Sequence, residues 1–94
     1  MIVRILGEGQ YNVDESVADD LNRLDAQLEK SVESGEEAAF RAALSAVLEK
    51  IRNSGTCLPD DALEPSAAVL PPEDAALDEV RAMLAETDEG LIPG

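Results

Sequence analysis

Between Glu15 and Asn53 the chain carries two apolar stripes at helical spacing, interrupted by little more than Gly35. Val17, Leu21, Leu24, Leu28 and Val32 lie on one helical face, and Phe40, Ala43, Leu44, Val47, Leu48 and Ile51 lie on another. Each stripe must be buried, and so short a connection makes the two helices antiparallel neighbours. The sequence therefore predicts a helix from about Glu15 to Ser34 and a second that runs to about Asn53. Asp14 or Ser16 can cap the first, and Glu15, Asp19 and Asp20 fill its first turns, where the helix dipole favours anions. Gly35 is a natural stop, and Ser34-Gly35-Glu36-Glu37 reads as a capping box for the second helix. The second helix presents Arg41, Ser45, Glu49 and Arg52 on its outer face, with Glu37 placed to support Arg41, and Gly55 ends it.

Ahead of the helices, Ile2 to Leu6 and Tyr11 to Val13 flank Gly7-Glu8-Gly9. Alternating apolar residues around a glycine-bracketed loop predict a β-hairpin. A lone hairpin is marginal in water, so it needs a helix over one face, a third strand or a partner. Ala67-Ala68-Val69-Leu70 is a candidate third strand. Prolines at 59, 65, 71 and 72 exclude a helix from Thr56 to Pro72, which is expected to be extended and laid over the hairpin by Leu58, Leu63, Val69 and Leu70. A short third helix is expected from about Glu73 to Glu86, with Leu77, Val80 and Leu84 on one side. The reading is one α+β domain over residues 1–94. Its core, 1–55, is an N-terminal β-hairpin packed on an antiparallel helix pair; 56–94 form an acidic, proline-rich arm and a short third helix.

Charge narrows the function. The chain carries 21 Asp+Glu against 7 Lys+Arg, a net charge of −14 on 94 residues, and has no histidine. Residues 57–94 concentrate the imbalance, with ten acids against Arg81 alone. Such a surface repels phosphate backbones and anionic lipid, so nucleic acid and direct membrane insertion are not expected. Lack of histidine removes the usual general base near pH 7 and the commonest metal ligand. No apolar run approaches the ~18–20 residues of a membrane span, and Met1 to Leu6 is too short to be read as a signal peptide. With Cys57 as the one cysteine, no internal disulfide forms, which fits a reducing cytoplasm.

Candidate chemistry is sparse. Gly7-Glu8-Gly9 follows a strand but lacks the third glycine of a dinucleotide loop and the Gly-Lys-Ser/Thr of a nucleotide loop. Asp60-Asp61 with Glu64 does not have the regular spacing of a calcium loop. Cys57 has no histidine to activate it, and acidic surroundings disfavour its thiolate. The chain is read as no enzyme, with no cofactor and no metal. Surfaces remain. Glu15, Asp19, Asn22, Ala26, Glu29 and Glu33 fall opposite the first apolar stripe. That acidic back is either a solvated face or a docking surface for a basic or charge-patterned partner. The hairpin edge, with Tyr11, is a second candidate, because unpaired edges invite strand addition.

Ordered pieces along the chain also look familiar together. Met1-Ile2-Val3-Arg4-Ile5-Leu6-Gly7-Glu8-Gly9-Gln10-Tyr11 is followed by Phe40-Arg41-Ala42-Ala43-Leu44 and by Leu58-Pro59-Asp60-Asp61. Leu70-Pro71-Pro72, Leu77-Asp78-Glu79-Val80-Arg81 and Gly90-Leu91-Ile92-Pro93-Gly94 complete the set. In order and spacing it resembles the PspAA family, small PspA-associated proteins of the phage shock protein A system. The resemblance implies a non-enzymatic adaptor or regulator that binds PspA, an ESCRT-III-like coiled-coil protein of membrane stress. It implies that such a chain modulates PspA assembly in the envelope stress response. The expected place is the cytoplasm, peripheral to the inner face of the membrane through that partner. Partner-binding candidates are Glu15, Asp19, Glu29, Glu33 and Tyr11, with Leu91 and Ile92 near the end of the chain. The alternative is a self-assembling structural module that oligomerises through its β-hairpin edge, so a homo-oligomer stays open.

Overall fold

The computed structural model describes residues 1–59 and 64–86. Strands β1 (Ile2–Ile5) and β2 (Gly9–Val13) form the expected hairpin, and a 3-10 turn (Glu15–Val17) leads into helix α1 (Ala18–Ser34). Helix α2 (Glu37–Ser54), strands β3 (Gly55–Cys57) and β4 (Ala68–Leu70), and helix α3 (Leu77–Ala85) follow. The α+β class, the hairpin and the antiparallel helix pair are as the sequence predicts.

The hairpin occupies the middle of a four-stranded sheet of order β3-β2-β1-β4. Val3 lies opposite Tyr11 in the antiparallel hairpin pairing, and Val13 lies opposite Gly55 on β3. On the far side β4 runs parallel to β1, with Ala68 beside Val3 and Leu70 beside Ile5. Paired residues project to one face of the sheet. Val3, Ile5, Val13, Ala68 and Leu70 thus make a continuous buried surface. The chain's first residue is fixed as well: the Met1 amine donates to Val13 O at 2.9 Å and Val13 N to Met1 O at 2.8 Å.

Onto that face pack the two predicted stripes. Leu21, Leu28 and Val32 of α1 are buried, with Val17 and Leu24 half-buried against them. Phe40, Leu44, Val47, Leu48 and Ile51 of α2 are fully buried, and Phe40 is the one aromatic in the core. Helix α3 packs against α1 and contributes Leu77 and Val80.

Helix ends follow local chemistry. Asp14 Oδ1 accepts the Ser16 N–H at 2.8 Å, as the predicted cap requires. Gly35 closes α1 at φ 75°, its N–H reaching Ser31 O and Val32 O. The capping box does not form. Ser34 Oγ donates instead to Ser31 O at 3.1 Å, and Glu36 takes the cap position of α2 without a side-chain hydrogen bond.

The stretch set apart by its prolines is tied to the hairpin on both sides. Its ends supply the two outer strands, β4 where a third strand was a candidate and β3 where only a helix stop was read. Between them, Glu64 and Ser66 lie against Gln10 on the sheet face away from the helices. The contribution expected of Leu63 falls outside the described residues. Helix α3 starts later than expected, at Leu77, because Pro72 O accepts Ala75 N–H in a turn and Glu73 is engaged by α2.

Gly55 joins α2 to β3 with no intervening loop. A Cβ there would stand 2.7 Å from Ile51 O, 3.1 Å from Val13 Cγ2 and 3.2 Å from Tyr11 Cβ. Gly55→Ala should therefore destabilise the fold by about 1–3 kcal/mol, the usual cost of overpacking. At this chain length that lowers Tm by roughly 4–8 °C per kcal/mol, and an unchanged melting curve would refute the close approach. The Ser16 backbone hydrogen bond holds the Asp14 carboxyl below its ordinary value of 3.8. A lowered folded-state pKa gives stability that is present above the unfolded value and lost as pH falls through the folded one. The Tm gap between wild type and Asp14→Ala should hold at neutral pH and close below about pH 4.

Candidate interaction surfaces

The predicted acidic row runs along the outside of α1. Glu15, Asp19 and Glu33 are exposed and Glu29 is half-buried. None of the four makes an ion pair or side-chain hydrogen bond among the described residues, whereas Asp20 binds both Arg23 and Lys50, each at 3.6 Å. The row divides by position. Glu15 lies in the 3-10 turn before α1 and Asp19 in the first turn of α1, and Glu33 lies about 20 Å beyond Asp19 along the axis at 1.5 Å per residue. Glu29 and Glu33 line a groove between α1 and α3, together with Val32, Arg81, Leu84 and Ala85. Arg81 is committed within the fold, donating from Nη2 to Val32 O at 2.9 Å and facing Asp78 at 3.6 Å. The groove thus has an apolar floor and two uncompensated carboxylates.

Tyr11 stands apart from that row. It is half-buried on β2, packed against the core between Val3 and Cys57 in the sheet register. Leu91 and Ile92 lie outside the described residues. The hairpin edge is not available for strand addition in this fold, since β2 lies between β3 and β1, and β1 between β2 and β4.

The outer face of α2 has a role that helical periodicity does not reveal. Arg52 binds the Glu8 carboxylate of the hairpin turn through Nε at 3.0 Å and Nη2 at 2.7 Å, and faces Glu73 at 3.6 Å. Hydrogen bonding to Glu8 stabilises the charged guanidinium and raises its pKa. Arg41 donates to Glu73 O at 2.9 Å, and Ser45 Oγ meets Glu73 Oε1 at 3.4 Å. These polar residues staple the hairpin turn and the segment before α3 onto α2. The pairing of Glu8 with Arg52 spans 44 positions, and no local pattern signals it.

Gln10 was also missed. Its side chain is buried, and Nε2 donates to Glu64 O at 2.6 Å and to Ser66 Oγ at 2.9 Å. Exposed Cys57 sits on β3 with Sγ 3.6 Å from Leu58 O. Among the described residues no group of three or more His, Cys, Asp or Glu is placed to hold a metal ion. No helix among them is long and apolar enough to cross a membrane.

A sheet covered on one face by an antiparallel helix pair, with carboxylates along one helix that make no ion pair among the described residues, defines a small acidic α+β domain. The family model of PspAA, PspA-Associated protein, matches residues 1–94, and the chain belongs to that family. No curated protein and no solved structure matches it.

Gln10→Leu keeps the side-chain volume but removes both donated bonds. It should cost about 1 kcal/mol and accelerate amide exchange at Ala67, whose N–H is held by Ile2 O at 2.8 Å. Exchange at the wild-type rate would mean that Gln10 does not hold this segment in place.

Proposed function

We propose that the chain is a non-enzymatic adaptor or regulator that binds PspA and modulates its assembly in the envelope stress response. Membership of the PspA-associated family supports the link to PspA. The observation that carries the docking mode is the row of carboxylates on α1. Asp20, Glu37, Glu8, Glu73 and Asp78 have cationic neighbours, whereas Glu15, Asp19, Glu29 and Glu33, like Glu36, Glu49, Asp74, Glu79 and Glu86, have none among the described residues, and those four follow one another along a single side of the first helix. Such a row suits basic positions on a partner and excludes acidic ones. An acidic domain is repelled by anionic lipid, so a partner that itself meets the membrane is the physical route to the inner membrane face. On this reading the chain acts in the cytoplasm and reaches the membrane through PspA.

Self-assembly through the hairpin edge is the weaker reading, because both hairpin strands are already paired on both sides.

A salt-titrated pull-down with PspA from the same cell tests the proposal. Binding should weaken as salt rises from low to high concentration, since exposed charges are screened over about 10 Å at 0.1 M. Charge reversal of Glu15, Asp19, Glu29 and Glu33 to lysine should abolish binding and leave the helical circular dichroism signal intact. Unchanged affinity in that variant would remove α1 as the docking face, and no binding by the wild type at any salt would remove the adaptor function.

A further inference from the structure

Helix α3 forms one wall of the groove that holds Glu29 and Glu33, which Arg81, Leu84 and Ala85 line together with Val32 of α1. The direction of that wall depends on what fixes α3 to the rest of the fold. Leu77 and Val80 are buried in the core, but apolar burial is non-directional and sets area rather than angle. Hydrogen bonds carry direction. Arg81 supplies one point, its Nη2 donating to Val32 O at 2.9 Å. A second point lies before the helix, at Glu73. Three side chains of α2 hold it: Arg41 Nη1 donates to its carbonyl at 2.9 Å, Ser45 Oγ donates to Oε1 at 3.4 Å, and Arg52 Nη1 lies 3.6 Å from the same oxygen. Glu8 grips that guanidinium through Nε and Nη2, which pins its plane while Nη1 faces Glu73.

The link from Glu73 to α3 transmits position rather than absorbing it. Pro72 fixes its own φ, its carbonyl accepts the Ala75 N–H at 3.0 Å across Glu73 and Asp74, and Ala75 is buried. Ala76 O then accepts from Glu79 and Val80 as the helix begins. From Leu77 to Leu84 the helix rises about 10 Å, so a tilt at its start is carried into the groove. We infer that Glu73 is a positioning residue for the α1–α3 groove. Clasped by Arg41, Ser45 and Arg52, it sets the angle of α3 and so the place of Leu84 and Ala85 beside Glu29 and Glu33. Glu73 itself lines a different cleft, with Leu6, Glu8 and Arg52, so its influence on the groove runs through α3.

The inference rests on the proposed docking to PspA, so PspA from the same cell is the probe, but it also has a readout in the chain alone. Glu73 is exposed, so Glu73→Ala should keep circular dichroism and Tm close to wild type. In that variant, without PspA, the methyl resonances of Leu84 and Val32 should shift, and unmoved resonances overturn the positioning role. Affinity for PspA should fall by about two- to fivefold, the range set by an exposed ion pair. Combination separates position from direct contact. The loss should vanish in a chain that already carries Glu29→Gln and Glu33→Gln, and persist beside Glu15→Gln and Asp19→Gln, which lie at the other end of the row. Wild-type affinity in Glu73→Ala, or an equal loss in both backgrounds, overturns the inference and leaves the docking to PspA standing. No binding of the wild-type chain overturns the docking proposal, and the methyl resonances then decide whether Glu73 places the groove.

Discussion

Everything else in the molecule depends on one contact, the packing of two aliphatic helix stripes onto the Val3, Ile5, Val13 face of a hairpin. Neither side is stable alone: a two-stranded hairpin is marginal in water, and helices of this length draw most of their stability from tertiary burial. With Phe40 as the core's single aromatic, the contact relies on many Leu, Val and Ile side chains rather than on a few large anchors. Such a core is sensitive to geometry, since each methylene counts in a close-packed interior. Short connections secure that geometry: Gly35 turns α1 into α2, and Gly55 turns α2 into β3 within a single residue.

The helix pair was legible because a period of 3.6 residues is a local property, and the stripes name its buried aliphatic side chains; Asp25 and Ser31 of α1, buried beside them, lie in neither stripe, and Val17, Leu24 and Ala43 are only half-buried. The strand Ala68–Leu70 was legible for a similar reason. The strand Gly55–Cys57 was not. Its glycine reads as a helix stop, and its second role, close approach to Tyr11 and Val13, exists only once β2 is beside it. The missing capping box and the late start of α3 have the same origin. Ser34 finds a carbonyl within its own helix, and Glu73 is held by Arg41, Ser45 and Arg52. A local preference yields where a tertiary partner offers more.

The surfaces divide in the same way. A helical wheel places Glu15, Asp19, Glu29 and Glu33 on one face, and the fold leaves them there. It cannot tell which charges are used up inside the fold. The outer face of α2 looks like a solvated one, yet Arg41, Ser45 and Arg52 hold the hairpin turn and the segment before α3.

Internal use of cations sharpens the chain's polarity. With five of seven committed to ion pairs, the outward charge of the described surface is carried mainly by carboxylates, with Arg4 and Lys30 the cations that make no ion pair among the described residues. The acidic row lies along the helical layer and extends over about 20 Å. A partner that engages the row over that length must present basic positions along an extended element rather than at one point.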